Sequence, residues 1–165
     1  MSPHMVLGFK LLHVLAVALF LGNITTGVFW KAHADHSRNP AIIGHTLEGL
    51  IQADRLFTMP PIIFILVGGF GAAIGGRFPI LGTGWIFWSI VLFTISGFAF
   101  MMHVAPAQRG MLALVRKSGD SLDWAAYRSL SRRWEIWGAV ALAAPALAAA
   151  LMIMKPALPG LRDLF

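Results

Sequence analysis

The sequence predicts an all-α fold: an integral membrane four-helix bundle with short amphipathic interfacial helices, in a single domain over residues 1–165. Three observations predict it. Hydrophobic residues make up 58% of the chain and charged residues 12%, about half the charge of a soluble domain, so a water-facing surface cannot be covered. The apolar residues gather into four runs, at about residues 6–29, 56–74, 85–103 and 136–154. At ~1.5 Å rise per residue each run is long enough to cross a ~30 Å hydrocarbon core. Water is absent there, so the backbone must satisfy its own hydrogen bonds and the runs are helices. The third observation is a mean hydropathy of +0.74. Cysteine is absent, which excludes disulfides, thiolate metal sites, iron–sulfur clusters and covalently attached haem.

The first run holds a lone Lys10, and no small-x-small cleavage site follows Leu21, so it reads as a helix of the mature protein rather than a signal peptide. Asn39-Pro40 is a cap followed by a first-turn proline, opening an amphipathic segment at about 40–54. Ile42, Ile43, Leu47 and Leu50 share one face with His45 and Glu48 opposite, which predicts a helix lying on the membrane surface. It runs on into the second span, bent where Pro60-Pro61 removes two amide donors. Trp85, Trp88, Trp134 and Trp137 stand near run ends, where interfacial aromatics belong. Ser118-Gly119-Asp120 breaks the chain, and Ser121 or Asp120 caps a second amphipathic segment at about 121–133, continuous with the fourth span.

Four spans place both termini on one side, here called near. The far side carries nine basic residues (Lys31, Arg38, Arg55, Arg109, Arg116, Lys117, Arg128, Arg132 and Arg133). The near side carries four (Lys10, Arg77, Lys155 and Arg162), which together make the 13 of the chain. Positive-inside reasoning makes the far side cytoplasmic and the termini periplasmic, in a bacterial inner membrane. The net charge of +6 does not point to nucleic acid, because the basic residues flank apolar runs and meet lipid headgroups. The expected partners are the bilayer and, through glycine-bearing helix faces, a second copy or the subunits of a larger membrane complex.

Histidine carries most of the chemistry. His13 lies about two turns inside the first span, where a polar group faces the bundle interior. It reads either as an axial ligand to b-type haem or as a side chain bonded to a neighbouring helix. His103 sits ~15 Å deeper along a parallel helix, so the two cannot share one iron. At the level of His13 the soft ligand on the fourth helix is Met152, and Gly68-Gly69 on the second leaves clearance for a flat macrocycle or for close helix packing. On the far side, His33 and His36 share a helical face and His103 leaves its helix at the same level beside Met101 and Met102. These form a copper or zinc ligand set, or are headgroup-level histidines. Asp35 either orients one of these histidines or pairs with Arg38. Asn23, Thr25 and Thr26 are expected to bond across helices, Asp54 and Arg55 to pair at the headgroups, and His4 and His45 to lie at the surface.

The stretch Phe9-Lys10-Leu11-Leu12-His13-Val14-Leu15, with Gly22 and Phe29-Trp30-Lys31, resembles a family of small bacterial membrane proteins. So do Ala53-Asp54-Arg55-Leu56-Phe57-Thr58-Met59-Pro60, Tyr127-Arg128, Arg133-Trp134 and Met154-Lys155-Pro156. That family is an uncharacterised "predicted integral membrane protein" domain of unknown function, and the resemblance spans Met5 to Pro156. It is distantly similar to copper-resistance D-type membrane proteins and HemJ-type protoporphyrinogen oxidases. The likeness implies a four-helix bundle with porphyrin or copper chemistry, His13 standing at the helix-one histidine of the HemJ type. Where that type has an arginine late in helix one, this chain has Phe29 and Trp30 followed by Lys31, and residues 85–102 hold no lysine or arginine. Haem binding without protoporphyrinogen oxidation is the expectation. Copper handling and a non-catalytic helical subunit are the alternatives.

Overall fold

The computed structural model describes residues 1–118 and 121–164. Its regular structure is helical, with no strand among the described residues. The elements are α1 (Pro3–Ser37), α2 (Pro40–Ala53), α3 (Met59–Gly75), α4 (Gly84–Ala99), α5 (Ala105–Ser118) and α6 (Trp124–Met154), ending in a 3-10 turn at Leu161–Leu164. A π-turn at Asp54–Thr58 joins α2 to α3, and another at Phe100–Val104 joins α4 to α5. The result is four continuous rods of 35, 36, 35 and 31 residues.

Each rod is ~45–55 Å long and overshoots a ~30 Å hydrocarbon core. The surplus lies on the far side, where α2 and α5 extend α3 and α4 and pack together against α1 and α6. The amphipathic α2 therefore does not lie on lipid as predicted. Its Ile43 and Leu47 are fully buried with Met111 and Val115 of α5, while Ile42 is left exposed. The Asn39 cap is as expected, its Oδ1 accepting from Ala41 N at 2.9 Å. The cap of α6 is Asp123, which accepts from Ala125 N and Ala126 N at 3.0 Å each, in place of the expected Ser121; Asp120 and Gly119 lie outside the described residues. As predicted, α6 continues from the far segment into the fourth span.

Both π-turns stand immediately before prolines. Met59, ahead of Pro60-Pro61, donates to Asp54 O, and Ala105, ahead of Pro106, donates to Phe100 O. A widened turn gives the pyrrolidine ring the room that a regular turn denies it, so neither rod stops at its proline. The perturbation expected at Pro60-Pro61 thus falls one turn earlier. Pro145 stands inside α6 without breaking it. The carbonyl it deprives of a donor, Ala141 O, accepts from Ser96 Oγ at 2.7 Å.

On the near side the rods form two pairs, α1 with α3 and α4 with α6. Glycine sets the first pair. A Cβ on Gly68 would lie 2.8 Å from His13 N and 2.9 Å from Phe9 O, so the two backbones meet there. The second pair is stitched by Ser89, whose Oγ reaches Ala148 O at 3.2 Å, and closed by the C-terminal segment. That segment folds over the 76–83 turn, with Leu161 N donating to Leu81 O at 2.8 Å and Trp88 Nε1 to Pro159 O at 3.1 Å. At Gly84 a Cβ would fall 1.9 Å from Leu158 O, so this strap needs glycine beneath it. Phe20 and Phe93, with ring centroids 5.7 Å apart, link the two pairs.

Candidate functional site

His13 is half-buried on the face of α1 that also carries Ala16 and Phe20. Its Nδ1 lies 2.8 Å from Ile65 O on α3, and its ring rests against Gly69. A backbone carbonyl only accepts, so Nδ1 carries the proton and Nε2 carries the lone pair. Nε2 has no hydrogen-bond partner among the described residues. Of the two uses foreseen for Gly68-Gly69, the glycines serve close helix packing, since the α1 backbone and the His13 ring fill the space over them. Met152 is half-buried on α6, the helix that pairs with α4 on this side.

The far-side histidines are dispersed. His33 is exposed and stacks on Phe29, and His36 is exposed near the end of α1. His103 lies in the second π-turn, stacked on Trp137 at 3.9 Å, with Arg133 Nη2 2.9 Å from its Nδ1. Among the described residues no group of three or more His, Cys, Asp or Glu side chains is placed to hold a metal ion. The Asp35 carboxylate, among the described residues, bonds to no histidine and makes no ion pair with Arg38, whose backbone N–H donates to Asp35 O at 3.2 Å. The carboxylate pairs with Lys31 Nζ at 2.6 Å and accepts from Tyr127 Oη.

That pair opens a polar core that the sequence reading missed. Lys31, expected at the headgroups, is 2% exposed. Its ammonium also meets Glu135 at 3.1 Å and Ser131 Oγ, and lies 5.1 Å from the Trp134 ring centroid. An ammonium this deep stands only because three oxygen partners and an aromatic face replace its water. Trp134, expected at the interface, is 5% exposed. Its Nε1 is the one buried side-chain polar atom without a partner among the described residues.

The other side of Trp134 borders a cavity lined also by Asn23, Asp54, Phe100, Val104 and Gln108, so residues of both π-turns wall it. Asp54 turns inward and does not pair with Arg55. Its Oδ1 accepts from Thr58 Oγ1 at 3.0 Å and Asn23 Nδ2 at 3.3 Å, and its Oδ2 from Gln108 Nε2 at 3.1 Å. The cavity, about 30 Å³, is large enough to hold a water molecule. Asn23 thus bonds across helices as expected. Thr25 and Thr26 do not: each hydroxyl is exposed and bonds back to its own helix, at Leu21 O and Gly22 O. A readable signal for this core existed in the spacing. Lys31 and Asp35 are four apart, and Tyr127, Ser131 and Glu135 form a matching stripe at i, i+4, i+8.

A family described as a predicted integral membrane protein (DUF2269) matches residues 7–156. No curated protein and no solved structure matches, and the wider likeness to copper-resistance D-type and HemJ-type proteins is not shown by these comparisons.

Proposed function

We propose that this chain, which belongs to the DUF2269 family of predicted integral membrane proteins, is a b-type haem protein of the bacterial inner membrane with His13 as the axial ligand. One observation carries the reading. Ile65 O accepts from His13 Nδ1, which fixes the ring and leaves the Nε2 lone pair among apolar helices, the arrangement that prepares a histidine for iron. The donor chemistry of the site fits haem. The clearance does not come from Gly68-Gly69, so a macrocycle taken up at Nε2 lies outside the α1–α3 contact. Bound haem supplies one-electron chemistry, and the chain supplies the imidazole, its fixed tautomer and a dry setting. Met152 belongs to this reading as a second residue that would hold the haem, through its thioether. Copper handling has no cluster of three or more His, Cys, Asp or Glu side chains behind it among the described residues. Orientation follows the charge count, with the far-side polar core cytoplasmic and both termini periplasmic.

The test is the absorption spectrum of the detergent-purified protein from cells supplied with haem, oxidised and then reduced with dithionite. The expected result is a Soret band that shifts on reduction, at about one haem per chain. A flat visible spectrum contradicts the reading. Copurification of other membrane chains with the colourless protein would then favour a helical subunit, and a copper signal without a Soret band would favour copper handling.

A further inference from the structure

On the far side, the outer face of α6 carries a groove of about 580 Å³ in which Arg128, Arg132 and Arg133 lie beside Ile136 and Trp137. These positions fall on one helical face at i, i+4, i+5, i+8 and i+9, so three guanidinium groups stand just beyond the start of the fourth apolar span. Neither Arg128 nor Arg132 has an ion-pair partner among the described residues. The described far-side carboxylates are engaged elsewhere: Asp35 and Glu135 with Lys31, Glu48 with Arg116, Asp54 in the cavity and Asp123 at its cap. The wall of the groove is fixed from the second π-turn. There His103 stacks on Trp137 and meets Arg133, whose guanidinium also approaches Met102 O. Toward the bilayer the groove turns apolar, with Ile136 54% exposed. Uncompensated planar cations at headgroup level above an exposed apolar wall match one ligand shape: a phosphate joined to acyl chains.

We propose that this groove binds an anionic glycerophospholipid, its phosphate held by Arg128 and Arg132 with Arg133 beside them and its acyl chain laid along Ile136 and Trp137. Arginine suits the task because its fork meets phosphate oxygens in pairs, and a basic pocket at the cytoplasmic end of a span is where such lipids are retained. The site is independent of His13, which lies on the near side.

Native mass spectrometry of the detergent-purified full chain tests it, using phosphatidylglycerol, phosphatidylcholine of the same acyl chains, and inorganic phosphate as probes. The expected result is retention of phosphatidylglycerol over phosphatidylcholine. Arg128→Gln with Arg132→Gln should weaken that retention by about 25-fold, at about fivefold per charge. Both side chains are exposed, so helicity should not change. Arg109→Gln with Lys117→Gln, which removes two far-side charges elsewhere, should leave retention as it was. Equal retention of the two lipids, an equal loss in both double variants, or survival of retention in Arg128→Gln/Arg132→Gln overturns the proposal. Full displacement by inorganic phosphate overturns the lipid assignment and leaves an anion site.

Discussion

In the far half of the bundle the helices are joined by side chains, and in the near half they are joined by backbone. The far half buries Ile43, Leu47 and Met111 completely and runs a polar core from Glu135 through Lys31 and Trp134 to Asp54. The near half brings α1 onto α3 over Gly68 and closes α4 and α6 with a C-terminal strap over Gly84. The difference follows from the solvent. Inside hydrocarbon an apolar side chain gains nothing by leaving lipid for protein, so close backbone approach over small residues does the joining. Beyond the bilayer the hydrophobic effect returns, and an amphipathic stripe such as that of α2 is driven into a core. The polar core sits between these regimes, where water is scarce but the helices are already locked.

The largest break in this comparison is Lys31→Ala in the far half. It leaves Asp35 and Glu135 without their cation, and the expected loss is about 3 kcal/mol, the low end for a broken buried pair because Glu135 reaches water. Unfolding in detergent measures it, and Lys31→Met with Asp35→Asn should lose less. A Lys31→Ala variant as stable as the parent would mean that the lysine is held by lipid rather than by the core.

Near-half variants come next. Gly84→Ala forces the strap off α4 and Gly68→Ala forces α1 from α3, each at about 1–3 kcal/mol for overpacking against backbone that cannot rotate away. Gly84→Ala should also expose the C-terminal segment to protease, whereas Gly68→Ala should not. Ser96→Ala sharpens the comparison further. Ala141 O has already lost a donor to Pro145, so the variant should cost about 1–2 kcal/mol. Ser89→Ala should cost less, because Ala148 O has no proline one turn ahead of it and keeps its place in the helical ladder. Equal losses would show that Ser96 does not satisfy that carbonyl. The smallest effect is expected for Thr25→Val and Thr26→Val, within about 0.5 kcal/mol, since both hydroxyls face outward and bond only to their own helix.

The four spans were legible because lipid leaves the backbone only one solution, and the long fourth helix was legible because no turn signal separates its amphipathic start from the apolar span, Pro145 inside that span notwithstanding. Helix beyond Pro106 was not legible, since a proline after an apolar run reads as a stop unless a π-turn widens the chain ahead of it. Lys31 and Trp134 were misplaced for a related reason. At a span end, sequence alone does not say whether a lysine or a tryptophan meets headgroups or another helix, and the answer depends on how far the rods continue past the bilayer. Asp35 likewise stands beside two histidines in sequence but turns to its own helix and to α6. His13 was legible as an inward polar residue, while its Ile65 partner was not, because a backbone acceptor leaves no mark in sequence.

The measurement that bears most directly on the account is the reduced-minus-oxidised spectrum of His13→Ala, set against His33→Ala with His36→Ala and His103→Ala. Haem is expected to be lost with the near-half histidine alone and retained when the far-half histidines are removed. Haem unchanged in His13→Ala, or lost only with the far-side set, would contradict that expectation.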